Sequence, residues 1–179
     1  MAEVVTPDPA SPFVREWAGR LRDTLPAPKR ALDAAMGRGR HARVLAAEGY
    51  HAFGVDRRHD AVLTAVQTAK TDGLIVRGWC ADLTTACLPS RRFSLICVTR
   101  YLDREFFPML YDALVPGGVL LYETFTTRQR ALGVGPTSPA HLLEPGELVT
   151  LVAGLFTVVF SEEVESPEAV ARAVGKRPE

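Results

Sequence analysis

Short apolar runs alternate with helical patterns along most of this chain, and this alternation constrains the fold more than any other feature. The run FSLICVT at residues 93–99 is almost continuously apolar, which is typical of a strand that a parallel sheet buries on both faces. Each parallel step needs a crossover connection, and helical patterns lie between the runs. The sequence therefore predicts an α/β fold with a doubly wound, mostly parallel sheet.

The sheet is expected to have seven strands. Five apolar runs give parallel strands, at residues 31–35, 51–56, 74–79, 93–99 and 119–123. Two strand-like runs, 156–163 and 169–175, are expected to form an antiparallel hairpin at one edge. Helices are predicted at 40–48, 59–70 and 106–114, with a further helix near 145–153.

The chain is predicted to form a single domain over residues 11–179, preceded by a flexible tail at residues 1–10. Ser11 is expected to cap the first helix, which packs through a stripe of Phe13, Trp17 and Leu21. Residues 125–144 show no periodicity. Long loops of this kind in small domains are often functional, so this loop is a candidate lid.

Composition narrows the class of partner. Lys plus Arg equals Asp plus Glu at 21 each, so no net charge favours a nucleic acid or an anionic membrane. No signal peptide and no apolar run of membrane-spanning length is present. The three cysteines are odd in number and lack zinc-site spacing, which indicates a reduced, cytoplasmic protein without a metal site.

The stretch LDAAMGRGRHA, residues 32–42, places two glycines between the first strand and the next helix. A strand that ends in such a turn presents unpaired main-chain N–H groups to a ligand. A Cβ at Gly37 or Gly39 would hold that ligand away from the main chain. The alternative is a tight strand-to-helix turn that binds nothing.

Two acidic segments follow at the ends of the next strands. Asp56 ends the second strand, where a carboxylate can accept hydrogen bonds from both hydroxyls of a ribose. The segment CADL, residues 80–83, follows the third strand, where an acid could bind the exocyclic amine of an adenine. An ion pair of Asp56 with Arg57 or Arg58 is the alternative for the first of these acids.

Two cofactor classes fit this outline. Gly37, Gly39 and Ala42 match the G-x-G-x-x-A pattern of dinucleotide-binding proteins, so an NAD-binding protein is one hypothesis. However, Asp33 would place negative charge near a pyrophosphate, whereas it suits a cationic sulfonium or ammonium group. The chain is also too short for a second nucleotide-binding half plus a substrate domain.

In order and spacing, these motifs resemble those of the class I S-adenosylmethionine-dependent methyltransferases. The resemblance spans roughly residues 30–178 and extends to the segments FSLICVTRYL and LVPGGVLLYETF. Within that family, the motifs resemble the small single-domain branch that includes the tellurite-resistance methyltransferases. It implies a Rossmann-like fold, S-adenosylmethionine as the cofactor, and an enzyme that transfers a methyl group.

The resemblance also assigns cofactor-binding residues. By motif match they are Asp33, Gly37, Gly39, Asp56, Ala81, Asp82, Leu83 and Thr99. The sequence departs from the family pattern where Ala35 replaces a usual glycine and Met36 a frequent cysteine. These two departures predict a slightly tighter turn and a possible change in cofactor affinity.

The substrate is expected over the carboxyl ends of strands four and five. The substrate-side candidates are Arg100, Tyr101, Tyr122 and Glu123. Arg100 is expected to bind an anion, the two tyrosines to form an aromatic wall, and Glu123 to accept a proton. Methyl transfer needs no nucleophilic side chain, so the histidines, His41 among them, are given no role. The acceptor is expected to be a small molecule with a thiol, chalcogen oxyanion, amine or carboxylate.

Two other hypotheses remain at this stage. The domain could bind its cofactor without turnover, or it could methylate RNA. The neutral charge and the sequence VTRY at the end of strand four, in place of a base-clamping motif, count against RNA. Oligomeric state cannot be read from the sequence.

Overall fold

The structure is a computed structural model that describes residues 9–165 and 167–179. It contains one seven-stranded sheet in the order β3-β2-β1-β4-β5-β7-β6. Strands β1 to β5 are parallel, and β7 runs antiparallel to both β5 and β6. The predicted fold class is confirmed, including the antiparallel hairpin at the edge. The strands are β1 (Arg30–Ala34), β2 (His51–Asp56), β3 (Val76–Cys80), β4 (Phe93–Thr99), β5 (Leu114–Phe125), β6 (Phe156–Glu165) and β7 (Glu168–Lys176).

Helices cover both faces of the sheet. The α-helices are α1 (Pro12–Leu21), α2 (Arg40–Ala47), α3 (His59–Thr71), α4 (Phe107–Ala113) and α5 (Glu147–Leu151). Two separate apolar clusters result, one on each face of the sheet. Side chains of α1, α2 and α3 pack in one cluster, and those of α4 and α5 pack in the other. Every residue of β4 is buried, as its apolar run predicts.

Helix α1 packs through the expected stripe of Phe13, Trp17 and Leu21, and also through Val14 and Ala18. Its buried residues are Phe13, Val14 and Ala18, while Trp17 lies only partly buried. The side chain of Ser11 makes no capping hydrogen bond, and its Oγ is buried without a partner. The start of α1 is therefore buried against the rest of the domain, and the expected side-chain cap by Ser11 is not formed. Residues 9 and 10 also belong to the fold, while the rest of the expected tail lies outside the described residues.

Two strand boundaries move from their expected positions. β3 begins at Val76 because the Leu74 N–H closes helix α3 through a 2.8 Å hydrogen bond to the Ala69 carbonyl. β5 begins at Leu114, where it pairs with Phe93 before a bulge, so the Pro-Gly-Gly segment lies within the strand. Tertiary pairing with a neighbouring strand overrides the local breaker residues in this segment.

The 125–144 loop is more ordered than its sequence predicts. It contains two short 3-10 helices, Thr127–Leu132 and Pro139–His141. Its two ends pair through Thr126 and Leu143, so the loop closes on itself. The helix expected near 145–153 is shorter and begins after Gly146, which has a φ of +77°. None of the helices in the described part combines the length and apolar character that a membrane-crossing segment needs.

Candidate active site

A large cleft of about 1680 Å³ opens where the carboxyl ends of β1, β2, β3 and β4 meet. This is where open α/β sheets bind their ligands. Six of the eight predicted cofactor-binding residues line the cleft: Gly37, Asp56, Ala81, Asp82, Leu83 and Thr99. The other two, Asp33 and Gly39, are not among the lining residues. The turn predicted from the sequence thus forms one wall of this cleft.

The two glycines of the turn have different structural roles. Gly37 has a φ of +53°, and an added Cβ would come no closer than 4.0 Å to the guanidinium of Arg58. Its main chain therefore faces the open cleft. Gly39 has a φ of +76°, but an added Cβ would lie 2.7 Å from the Ala65 Cβ. Gly39 thus permits the close packing of α3 against the turn, which corrects the expectation that it opens the main chain to a ligand.

The two departures from the family pattern also lie in this turn. Ala35 takes the left-handed conformation with a φ of +57°, which is the conformation that the usual glycine adopts without cost. Met36 is buried, and its sulfur fills the space beside Gly54, where an added Cβ would lie only 2.0 Å from it. The larger Met36 side chain is accommodated because the neighbouring strand carries a glycine.

Asp33 is fully buried behind the turn. Its Oδ2 accepts a 2.8 Å hydrogen bond from the Ala42 N–H, at the start of α2. Its Oδ1 is buried and has no hydrogen-bond partner. Burial raises the pKa of this carboxyl to about 7. A buried, unpaired carboxylate oxygen is costly, and a cation close to the turn would offset that cost.

Asp56 joins the end of β2 to the glycine turn. Its Oδ2 accepts a 2.8 Å hydrogen bond from the Gly37 N–H, and its Oδ1 accepts one of 2.9 Å from the Arg58 N–H. The Arg58 guanidinium is 3.7 Å from the same carboxylate. Each carboxylate oxygen has two lone pairs, so these bonds leave acceptor capacity toward the cleft.

Asp82 shapes the loop after β3. Its Oδ1 accepts hydrogen bonds from the Thr84 N–H at 3.0 Å and from the Thr84 hydroxyl at 2.7 Å. These bonds lower the pKa of the Asp82 carboxyl. Ala81 and Asp82 lie at the cleft wall, and Leu83 is buried beneath them. The Asp82 carboxylate is therefore ionised and held in place at the point of the cleft where an adenine is expected.

His41 lines the cleft, although the sequence analysis gives it no role. It was expected only to begin α2, but its side chain is buried and lies at the cleft wall beside Thr99. Its Nδ1 is 3.0 Å from the Thr99 Oγ1, and its Nε2 accepts a 3.1 Å hydrogen bond from the Ser11 N–H. The signal in the sequence was its position, two residues after the second glycine of the turn.

On the substrate side, Arg100 and Tyr101 line the cleft as expected. Arg100 is in the left-handed conformation with a φ of +53°, and its guanidinium pairs with Glu168 on β7. It also lies 5.7 Å from the centre of the Phe125 ring. The turn after β4 thus directs the Arg100 side chain toward β7.

Tyr122 and Glu123 lie behind the cleft, unlike Arg100 and Tyr101. Tyr122 is fully buried, its hydroxyl donates a 2.7 Å hydrogen bond to the Tyr101 carbonyl, and burial raises its pKa. Glu123 is buried, and its Oε2 is 2.6 Å from the Nε of Arg172 on β7. In this part of β5, which pairs with β4 on one side and β7 on the other, neither side chain is among the cleft-lining residues.

Several further residues line the acceptor side of the cleft and were not singled out from the sequence. They come from the segment before α4, from α4 itself and from the 125–144 loop, and include Leu102, Phe106, Met109, Phe125, Pro136 and His141. Most are apolar. No local motif marks them, because they come together only through the path of the chain around the carboxyl end of the sheet.

A mixed set of donor atoms lies next to the turn. Ligand atoms of Asp33, His41 and Cys97 are within 4.8 Å of one another, and all three side chains are buried. Both His41 nitrogens are already hydrogen-bonded to Ser11 and Thr99, so the ring offers no lone pair to a metal in this arrangement. Burial raises the pKa of the Cys97 thiol, which also keeps it protonated.

The sheet order separates two classes of nucleotide-binding protein. A dinucleotide-binding sheet usually has six parallel strands in the order 3-2-1-4-5-6. Here an antiparallel strand, β7, lies between β5 and β6. The fold and the cleft therefore define the class I methyltransferase fold.

Comparisons with known proteins agree with this class. A family described as "Methyltransferase domain" matches residues 31–118. A comparison of the sequence with curated proteins found no match. The resemblance to methyltransferases is thereby confirmed for the segment that carries the cofactor motifs.

Solved structures share the fold at low identity. TehB from Haemophilus influenzae has a TM-score of 0.76 at 17% identity, over 94% of this chain and 62% of the TehB chain. An S-adenosylmethionine-dependent methyltransferase from Clostridium acetobutylicum has a TM-score of 0.74 at 15% identity, over 93% of this chain and 90% of the other. The 4+2 cyclase SpnF has a TM-score of 0.70 at 14% identity, over 92% and 80% of the two chains.

These findings support the predictions that the chain is an enzyme and that S-adenosylmethionine is its cofactor. This chain spans less than two thirds of the length of TehB. SpnF is described as a 4+2 cyclase, not as a methyltransferase. The likeness to these solved structures therefore shows the fold and does not identify a methyl acceptor.

Proposed function

We propose that this protein transfers the methyl group of S-adenosylmethionine to a small-molecule nucleophile held on the acceptor side of the cleft. The supporting observation is the meeting of Gly37, Asp56, Asp82 and Thr99 at one cleft wall, although they come from four separate parts of the chain. S-adenosylmethionine supplies an electrophilic methyl group on a sulfonium sulfur. The protein then has to bind and orient the two reactants.

The cofactor residues fit this ligand by their chemistry. The buried Oδ1 of Asp33 lacks a partner, and a positively charged cofactor near the turn would stabilise its carboxylate. The open main chain at Gly37 suits close approach by the ligand, and Asp56 retains acceptor capacity for ribose hydroxyls. The ionised Asp82 would accept a hydrogen bond from the adenine amine. These assignments are proposals that binding measurements can test.

On the acceptor side the chain would act by orientation. The apolar side chains of Leu102, Phe106 and Phe125 would exclude water, and Pro136 and His141 of the 125–144 loop would close the far wall. Alignment of a nucleophile behind the methyl group can lower a barrier by roughly 7 to 11 kcal/mol. We propose that this loop acts as the lid. A thiol, a chalcogen oxyanion, an amine and a carboxylate are all acceptors to be tested.

The first test is calorimetric titration of the wild-type protein with S-adenosylhomocysteine, with NADH as the matched comparison. Binding of S-adenosylhomocysteine and not NADH is expected, and the reverse would replace this proposal with the dinucleotide hypothesis. Transfer of a labelled methyl group to a panel of the four acceptor types then separates an enzyme from a binding protein. A cytoplasmic location, proposed from the three free cysteines, is tested by cell fractionation.

A further inference from the structure

The hydrogen bonds of His41 fix where its proton lies. A main-chain N–H can only donate, so the bond from Ser11 requires an unprotonated Nε2 on His41. In a neutral imidazole the proton then lies on Nδ1, which is 3.0 Å from the Thr99 Oγ1. The Nδ1–H therefore donates to the Thr99 oxygen.

This arrangement sets the direction of the Thr99 hydroxyl. Its oxygen accepts from His41, so its own hydrogen must be donated elsewhere. Thr99 ends β4 and lines the cleft, while His41 is nearly fully buried beside it. A ligand in the cleft with an oxygen or nitrogen lone pair is thus the natural acceptor for the Thr99 hydrogen.

We propose that His41 is a positioning residue that holds the Thr99 hydroxyl as a hydrogen-bond donor to the bound cofactor. The Ser11 N–H, at the start of α1, fixes the tautomer of His41. The Nδ1–H of His41 then donates to Thr99, which leaves the Thr99 hydroxyl hydrogen for the ligand. The inference depends on the proposed function, because the ligand that accepts from Thr99 is taken to be S-adenosylmethionine or its product.

The surroundings of the ring agree with this role. His41 is the second residue of α2, and it bridges the start of α1 and the end of β4, which are far apart in sequence. Its neighbours Asp33 and Cys97 are buried as well, with donor atoms within 4.8 Å of those of His41.

A double-mutant cycle tests the coupling between the two side chains. S-adenosylhomocysteine affinity is measured for the wild type, His41→Leu, Thr99→Val and the double variant. Each single variant is expected to bind about 10-fold more weakly, since one hydrogen bond to a ligand is lost. The double variant is expected to lose about the same 10-fold, because His41 acts through Thr99. Independent losses that multiply to about 100-fold would overturn the proposal.

The conservative variant His41→Gln is the matched control. Its amide oxygen can accept from the Ser11 N–H while its amide nitrogen donates to Thr99, so affinity within about 3-fold of the wild type is expected. Affinity as weak as that of His41→Leu would contradict the positioning role. Circular dichroism melts establish that each variant is folded.

A spectroscopic measurement on the wild type does not depend on any variant. Long-range nitrogen-15 NMR of the histidine rings is expected to show His41 protonated at Nδ1 and unprotonated at Nε2. The opposite tautomer would overturn the inference. Failure of the wild type to bind S-adenosylhomocysteine would instead contradict the proposed function, and the two failures are therefore distinguishable.

Discussion

The carboxylate of Asp56 and the main-chain N–H of Gly37 are joined by a hydrogen bond of 2.8 Å. This bond ties the end of β2 to the glycine turn after β1, so the acidic residue and the turn form one rigid unit. A second bond from the Arg58 N–H fixes the other carboxylate oxygen. The proposed ribose-binding group is therefore held in place before a ligand arrives.

We expect Asp56→Ala to weaken S-adenosylhomocysteine binding by about 100-fold, because hydrogen bonds to a charged acceptor each contribute about 1.5 to 3 kcal/mol. Asp56→Asn keeps one oxygen and should lose less. Calorimetric titration measures both. Asp60→Ala, on the exposed start of α3, is the control and should bind normally. Unchanged affinity of Asp56→Ala would contradict the ribose assignment.

The two glycines of the turn should respond differently to alanine. Gly39→Ala places a Cβ 2.7 Å from the Ala65 Cβ at a φ of +76° and should destabilise the fold by about 2 to 5 kcal/mol. Gly37→Ala meets no such contact, so only the conformational cost of about 1 to 2 kcal/mol is expected. Urea unfolding measures the difference. A smaller loss at Gly39 than at Gly37 would refute the packing role.

The Gly37→Ala variant also distinguishes an effect on ligand binding from an effect on stability. Because Gly37 faces the cleft, Gly37→Ala is expected to lose cofactor affinity by more than its loss of stability accounts for. Titration below the unfolding temperature checks this expectation. Normal affinity of folded Gly37→Ala would show that the ligand does not approach this part of the main chain.

The buried Asp33 predicts a dependence of stability on pH. Its pKa in the folded protein is about 7, above the ordinary 3.8, so between these values the folded state binds more protons than the unfolded state. Stability from this group is therefore present below about pH 4 and is lost as the pH rises toward 7. Thermal melts of Asp33→Asn should show a growing advantage over the wild type from pH 5 to pH 8.

A cationic ligand should reverse this penalty. If S-adenosylmethionine places positive charge near Asp33, binding at pH 6 should release a proton, and affinity should rise with pH up to about 7. Calorimetry in two buffers of different ionisation enthalpy measures the proton release. Equal proton release from Asp33→Asn would assign the proton to another group.

Tyr122 is expected to act on the site only through Tyr101. Tyr122→Phe removes the 2.7 Å hydrogen bond to the Tyr101 carbonyl and should cost about 1 kcal/mol of stability. Ligand affinity should also fall, because the Tyr101 main chain lies at the cleft wall. Tyr50→Phe breaks a similar 2.8 Å bond to the Ala18 carbonyl, away from the cleft, and is the matched control. Equal affinity of the two variants would argue against this positioning role.

Glu123 is expected to stabilise the fold through Arg172 and not to accept a proton from the substrate. Glu123→Gln leaves the guanidinium partly unpaired in a mostly buried position, and losing one partner of such a pair typically costs about 3 to 5 kcal/mol. Glu163→Gln affects the more exposed partner of Arg172 and should cost under about 1 kcal/mol. Chemical denaturation compares them. A lost turnover rate in folded Glu123→Gln would restore the catalytic hypothesis.

Local patterns predicted the strands and the glycine turn well. The apolar run of β4 and the glycine turn after β1 are local signals, because burial on both faces and left-handed backbone each leave a mark on consecutive residues. The roles of neighbouring residues were less predictable. Gly39 and Gly37 look alike in the sequence, and only the approach of Ala65 distinguishes them.

Side-chain direction at the end of the sheet could not be predicted from the sequence. Arg100, Tyr101, Tyr122 and Glu123 are all placed near the carboxyl ends of β4 and β5 by the strand pattern. Tyr122 and Glu123 are buried where β5 pairs with β4 and β7, and they do not line the cleft. Arg100 and Glu123 pair with Glu168 and Arg172, which lie on β7 and are distant in the chain. His41 gained its two partners in the same way.

The sequence by itself determined the order of strands and helices, the position of the glycine turn and the acids that follow it, because these depend on consecutive residues. Tertiary structure alone decided which of those groups face a common cleft, which are buried behind it, and which histidine tautomer the site contains. The physical reason is that burial and hydrogen-bond partners arise from elements packed across the sheet, and their separation along the chain leaves no local pattern to read.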